Sequence, residues 1–466
     1  MSGFTIREHV PSILVATLSS AFGVCLVEVT GVLDTILRAD SVTGDSHTVA
    51  ALLPLAATIF ITIAVYVGAI VTSNTFATII AGRTRTIALY RLLGSSARSQ
   101  RVAVAREGLF VGVIGGLLGA VVGVAAAAVL AGVGAATGTI PALSFTFAQP
   151  SAALPLVAVV LTTWLASWIG SRRVLVVSPM QATGAAQELS LDEAVSRRAR
   201  NATAITMFVV GIALLLLGVA VGLVSELGVL IGIVGGIISF SGLVLGAHLV
   251  MPPALRLVGR AFGTSAPARL AAQNAVRYPE RSSRTTIGLV IGVTLITMFA
   301  VTAETYQRIL YTAADGEPVY YAGTDPTIAI TVAVFSALIG FSALIAAVGL
   351  VNNLSLSVLQ RTRELGLLRA LGFTGRQVRT MVLAESAQLT VAATLVGLVL
   401  GTFYGWAGAQ SLLGSIYGSP GIVLPVVPAV LLVVVVVAAA VLTLMATLAP
   451  SRRATRVAPV AALAVE

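Results

Sequence analysis

The sequence predicts an all-α polytopic membrane protein of about ten transmembrane helices in a 4+2+4 arrangement, with two homologous four-helix halves. Three observations carry that reading: extreme hydropathy, a lopsided distribution of arginine, and an internal repeat. The 466 residues are 57% apolar and only 10% charged, with a mean hydropathy of +1.01. A soluble domain carries about 25% charge, so a water-soluble enzyme is excluded. A disordered chain would need low hydropathy and high net charge, and is excluded too.

Ten apolar runs are long enough to cross a bilayer at roughly 20 residues each. The first four lie near Ile13–Leu33, Val49–Ser73, Val102–Val133 and Ser151–Ile169. A close pair follows, Ala204–Val224 and Val229–Met251, joined only by Ser225, Glu226, Leu227 and Gly228. The last four lie near Thr286–Ala303, Ile328–Leu350, Met381–Trp406 and Ile422–Leu448. These runs are apolar all round, whereas helices of a soluble core keep a polar face.

Arginine sets the orientation, because basic residues are retained on the cytoplasmic side. With the N-terminus in the cytoplasm, 26 of the 28 arginines fall in inner segments and only Arg38 and Arg308 fall outside. Asp34, Asp40, Asp45, Glu304, Asp315, Glu317 and Asp325 fall in outer segments. The expected location is a bacterial cytoplasmic membrane, with both termini on the cytoplasmic side. The first apolar run is too long for a cleavable signal peptide and lacks an A-x-A-type exit, which makes it the first span.

The net charge of +10 sits in short clusters between apolar runs. No continuous basic face exists for nucleic acid. Every basic residue is Arg and Lys is absent, so the phosphate-binding loop that needs a Lys cannot be present, nor can a Schiff-base Lys. Cys25 is a single cysteine, and His9, His47 and His248 have no metal-ligand spacing. Neither an enzyme nor a cofactor-binding chain is expected.

The chain repeats itself at a separation of 278 residues. R-T-R-T-I-A-L-Y-R-L-L-G at Arg83–Gly94 matches R-T-R-E-L-G-L-L-R-A-L-G at Arg361–Gly372, and the same offset pairs Arg98 with Arg376, Arg101 with Arg379 and Glu107 with Glu385. It also pairs Gly119 and Gly123 with Gly397 and Gly401, a G-x-x-x-G ridge that lets helices approach closely in lipid. The closing segments S-R-R-V-L-V-V-S-P-M-Q-A from Ser171 and S-R-R-A-T-R-V-A-P-V-A-A from Ser451 match at an offset of 280. The expected organisation is a first four-span unit over 1–185, a linker with a two-span hairpin over 186–262, and a second four-span unit over 263–466. An even-numbered insert leaves the two units parallel, related by an axis along the membrane normal.

Between the second and third spans of each half lies a basic stretch with helical periodicity: Leu365, Leu368 and Leu371 recur on one face and Arg361, Arg369 and Arg376 fall on others. Glu364 is spaced to pair with Arg361, and Gly372 ends the helix. One reading is an amphipathic helix resting on the anionic inner leaflet. The other is a docking helix for a cytoplasmic partner. Registered repetition of R-T-R, Arg and L-G favours docking, because a helix resting on lipid needs only amphipathicity.

The stretch V-N-N-L-S-L-S-V-L-Q-R-T-R-E-L-G-L-L-R-A-L-G-F-T-G-R-Q-V-R at Val351–Arg379, followed by an apolar run with G-x-x-x-G, resembles the FtsX-like permease signature. Members of that family are membrane subunits of MacB/Lol/FtsX-class ATP-binding-cassette systems. The resemblance extends over both four-span halves, including the closing S-R-R segments and the lead-in at Leu270–Thr286. It implies that Arg361, Arg363, Glu364, Leu365, Gly366, Leu368, Arg369, Leu371 and Gly372 contact a nucleotide-binding subunit as a coupling helix. Their counterparts are Arg83, Arg85, Leu89, Arg91, Leu93 and Gly94, with Thr86 and Ala88 standing where the second half has Glu364 and Gly366. ATP and Mg would sit on that partner, expected as two cytoplasmic ATPase subunits.

Many members of the family carry a large extracytoplasmic domain after the first span. Here that place holds about fifteen residues at Asp34–Thr48 and about two dozen at Glu304–Thr327, too few to bury a core. Glu28 and Glu304, toward the outer ends of the first and seventh spans, are candidates for substrate contact or gating; interfacial hydration also accounts for them. His248 and Cys25 read as packed residues, and Tyr306, Tyr311, Tyr320 and Tyr321 as interfacial anchors. The leading function is export of a hydrophobic or amphipathic substrate (a lipid, peptide or drug). The alternative is a mechanotransmission subunit that relays ATPase strokes to an extracytoplasmic enzyme or sensor kinase. A secondary transporter would need polar or broken helices at midplane, where the runs are apolar.

Overall fold

The architecture is seen in a computed structural model of the chain. It describes residues 6–39, 88–90, 93–137, 144–171, 198–261, 266–277, 279–316 and 367–456, with isolated residues between 58 and 73 and between 339 and 347. Among these the regular structure is helical, with no strand, and it falls into two compact units, Met1–Ala186 with Asp325–Ile345, and Gln187–Thr324 with Ala346–Glu466. Among the described residues seven helices are long and apolar enough to cross a membrane. The expected spans Val49–Ser73 and Ile328–Leu350 lie for the most part outside the described residues.

The first unit is built on α1 (Ile6–Ala39), α2 (Ala97–Ala136) and α3 (Ala153–Gly170), the last preceded by a single 3-10 turn at Pro150–Ala152. Forty residues at 1.5 Å each make α2 about 60 Å long, twice the hydrocarbon thickness, so its arginine-bearing first turns extend past the apolar layer. α1 lies along α2 because α2 lacks side chains on that face. A Cβ built at Gly115 would lie 2.5 Å from Ala16 Cβ, and at Gly123 2.6 Å from the Ala21 carbonyl oxygen; one at Gly119 would strike the Thr17 carbonyl. Ser20 Oγ donates to Gly116 O at 2.8 Å across the same seam. Apolar burial drives little helix association in lipid, so close packing and such bonds hold the pair.

The second unit contains α4 (Arg198–Gly222), α5 (Gly228–Leu245), α6 (Ala247–Gly259), α7 (Ala266–Arg277), α8 (Pro279–Gly316), α9 (Gly375–Leu413) and α10 (Ala429–Arg456). α8 and α9 repeat the α1–α2 pairing, and the ridge is displaced by one helical turn. Gly397, Gly401 and Gly405 seat against Val293, Thr297 and Met298, with built Cβ distances of 2.7, 2.5 and 2.5 Å. At the 278 offset, Ala393 stands where the first unit has Gly115, and Gly405 where it has Ala127.

The two-span hairpin α4–α5 is a glycine seam of its own: Cβ atoms at Gly218 and Gly235 would meet partner backbone at 2.6 and 2.5 Å. It is docked on α9 by Gly222 against Ser411, and by Ser239 Oγ and Tyr404 Oη sharing a hydrogen bond of 2.9 Å. One expected boundary needs correction. The run Val229–Met251 is not a single helix: α5 stops at Leu245, Gly246 has φ −92° and ψ 10°, and α6 restarts at Ala247.

Candidate functional site: a repeated docking turn

Each unit carries the same turn at the start of its longest helix. In the first, the helical residues 88–90 lead to Leu93, Gly94 takes φ +94°, and Ser96 caps α2 by accepting from Ser99 N at 3.1 Å. In the second, residues 367–370 lead to Leu371, Gly372 takes φ +100°, and Thr374 caps α9. A left-handed residue directly after a helix is glycine's own place, because a Cβ there collides with local backbone. The chain then closes a six-to-one bond, Ser95 N to Tyr90 O at 2.9 Å and Phe373 N to Leu368 O at 3.0 Å. Thr374 and Gln377 form a reciprocal capping box, with Gln377 N to Thr374 Oγ1 at 3.2 Å and Thr374 N to Gln377 Oε1 at 2.8 Å.

These bonds fix what the turns display. Leu93 is 78% exposed and Leu371 72%, with Leu89 and Leu367 each at 51%. Burying a leucine fully is worth about 1.5–3 kcal/mol, so each turn by itself, with two leucines held in the open, presents a surface suited to a protein partner. Exposed Arg98 and Arg106 on α2 place positive charge near the first turn, and exposed Arg376 and Arg379 on α9 place it near the second.

The support differs between units. In the second, Leu368 and Phe373 turn inward onto a buried cluster of Ala271, Val378, Met381 and Val382, so α7 braces the turn. Leu368, expected at the partner contact, is therefore half-buried in the scaffold. In the first, Arg101 stacks on Trp168 of α3, 4.0 Å from the ring centre, and its guanidinium donates to Ser171 Oγ and Trp168 O at 3.4 and 3.5 Å. Arg379 instead donates to Gly375 O of its own helix at 3.3 Å.

Of the other predicted contacts, Arg369 is partly buried, whereas Arg361, Arg363, Glu364, Leu365, Gly366, Arg83, Arg85 and Arg91 lie outside the described residues. Gly119, Gly123, Gly397 and Gly401 all lie in the helix seams described above. Glu28 is 1% exposed, whereas Glu304 is half-buried. Sequence reasoning missed the Arg101–Trp168 brace and both caps. The T-x-x-Q spacing at Thr374–Gln377 was the readable signal for one cap.

The model of the FtsX-like permease C-terminal region matches this chain twice, at residues 58–179 and 336–459, which together span over half of it. The chain belongs to the FtsX-like permease family. Each match takes in one glycine turn and the two helices that follow it, and the α4–α5 hairpin lies outside both. This permease is 34% identical over 102 residues to the uncharacterized ABC transporter permease YknZ of Bacillus subtilis strain 168, covering 22% of this chain and 24% of that one. It is 26% identical over 129 residues to the ABC transporter permease YtrF of the same strain, covering 26% and 29%. Macrolide export ATP-binding/permease protein MacB of Bdellovibrio bacteriovorus is 28% identical over 116 residues, covering 21% and 17%. The similarity thus spans less than a third of the length of these relatives.

Proposed function

We propose that the chain is the permease subunit of an ATP-binding-cassette transporter, in which separate cytoplasmic ATPase subunits, one per turn, bind Leu93 and Leu371 and drive export of a hydrophobic or amphipathic substrate. The observation that carries this reading is the repeated pair of exposed leucines on left-handed glycine turns at the basic ends of α2 and α9. The basic ends then face the cytoplasm, as arginine retention requires. Each long helix transmits the stroke, because its first turns are capped and its later turns are seated glycine by glycine on α1 or α8. The expected outer segments Asp34–Thr48 and Glu304–Thr327 hold about fifteen residues and about two dozen, which suits a cargo taken from the bilayer. The working division is a first unit over 1–185, a hairpin linker over 186–262 and a second unit over 263–466. The coupling residues carried by the family resemblance, among them Arg361, Arg363 and Glu364, extend the same contact.

The test is co-purification and reconstitution with a co-expressed ABC ATPase from the same organism. Replacing Leu93 and Leu371 together by Asp should abolish co-purification while the permease remains folded in detergent. In liposomes, amphiphiles should stimulate ATP hydrolysis by the wild-type pair. Normal recovery of the ATPase with the double variant overturns the docking assignment. Hydrolysis indifferent to every amphiphile overturns export and leaves mechanotransmission to an extracytoplasmic partner.

A further inference from the structure

We propose that Glu28 is the acceptor for an organic ammonium group carried on an apolar body, so that the exported amphiphile is cationic; this rests on the export reading above. Glu28 lies within the span Ser12–Ile36, eight residues short of its end, and is 1% exposed. Its Oε1 accepts the Gln149 backbone N–H at 3.2 Å. Its Oε2 is buried and has no hydrogen-bond partner among the described residues, nor does Glu28 pair with any arginine there. A carboxylate normally accepts several bonds, and within a bilayer an ionisable group that is not paired marks a functional position. Hydroxyls in the same helix show the contrast: Thr30 and Thr35 donate to Leu26 O and Gly31 O one turn back.

Position and chemistry narrow the ligand. Gln149 is the residue before the 3-10 turn that opens α3, so the positive end of that helix offsets part of the cost of the charge and leaves Oε2 bare. One carboxylate is too small a donor set for a resident calcium or magnesium ion, which take six or more oxygens, and no group of three acidic, His or Cys residues lies together among the described residues. A monovalent ammonium matches the single negative charge of one carboxylate and gives Oε2 the charge-assisted N⁺–H bond it lacks. The cover is thin and strained. Gln149 lies over Gly31, where a Cβ would stand 2.6 Å from its Nε2, and Ala148 before it holds φ +60°, a conformation non-glycine residues adopt at a cost of about 1 kcal/mol or more. Lifting 148–149 releases that strain and frees Oε1 from its one donor. Glu304 in the second unit is only half-buried.

The experiment uses the full chain in phosphatidylcholine nanodiscs without any ATPase, which keeps its outcome separate from the coupling reading. Dansylcadaverine, a fluorescent primary ammonium, is titrated beside its uncharged N-acetyl derivative. Saturable binding of the ammonium at least tenfold tighter than of the acetylated probe is expected. Glu28→Gln keeps the acceptor for Gln149 N and should lose that tenfold preference, whereas Glu28→Asp should retain part of it. Equal binding of the two probes by the wild type overturns the proposal without recourse to any variant. Equal preference in wild type and Glu28→Gln reduces Glu28 to a helix cap, and overturns it equally.

Discussion

Arg101 and Trp168 tie the first turns of α2 to the last turn of α3, the guanidinium lying 4.0 Å from the indole centre and donating to Trp168 O. The repeat places Arg379 at the position of Arg101, yet among the described residues Arg379 donates to Gly375 O of its own helix. Sequence explains the difference. The 280 offset that aligns the closing S-R-R segments sets Leu448 where the first unit has Trp168, and a leucine offers no π face. The second unit braces its turn through α7 instead. Two units of one ancestry thus hold the same turn by different means.

That asymmetry is measurable. A cation–π pair is worth about 0.5–2 kcal/mol depending on desolvation, and Arg101 adds two side-chain hydrogen bonds. Trp168→Leu and Arg101→Gln should each lower the thermal midpoint of the detergent-solubilised chain by several degrees, with the double variant no worse than the stronger single one. Arg379→Gln should leave the midpoint within a degree. Additive losses for Arg101→Gln and Trp168→Leu would show that the two residues do not act as a pair.

Much of this arrangement was legible in the chain. The G-x-x-x-G at Gly397 and Gly401 marked the α8–α9 seam, because small residues at a four-residue spacing have one obvious use in lipid. The apolar run at Val102–Val133 located α2, though the helix starts at Ala97, where Ser96 supplies a cap that hydropathy does not register. The break at Gly246 was hidden for the same reason: hydropathy continues through Leu249 and Met251 while the backbone turns. The exposure of Leu371 beside the burial of Leu368 depends on α7, more than ninety positions earlier in the chain, and no local pattern carries that information. Glu28 was visible as a carboxylate in a span, but its meeting with Gln149, 121 residues away, was not.

The seam glycines separate close packing from helix propensity. Gly401→Ala places a methyl 2.5 Å from Thr297 Cβ and 2.6 Å from Thr294 O. Backbone cannot yield as a side chain can, so α8 and α9 must move apart. A cost of about 1–3 kcal/mol is expected, in the range of overpacked cores, read as a lower midpoint and reduced yield. Gly408→Ala on the same helix meets nothing within 4 Å and should be neutral or slightly stabilising, since alanine favours helix by about 1 kcal/mol. A seam variant as stable as Gly408→Ala would refute the close approach.

Gly94 and Gly372 give the sharpest test of the turn itself, because, chain neighbours aside, a Cβ at either would find no atom of the described residues within 4 Å. What opposes a side chain there is the left-handed local backbone itself, at φ +94° and +100°. Gly94→Ala and Gly372→Ala should each cost about 1 kcal/mol of local stability, while Gly→Asn, which tolerates that region, should cost less. Amide hydrogen exchange reads the loss where it occurs: faster exchange at Ser95 and Phe373, whose N–H groups close the six-to-one bonds, with α2 and α9 beyond Gln100 and Val378 unchanged. Because these bonds aim Leu93 and Leu371, the alanine variants should also weaken ATPase recovery, and the asparagine variants should restore most of it. Alanine and asparagine variants of equal effect would mean that side-chain bulk at the partner surface, and not backbone conformation, is what matters at these two positions.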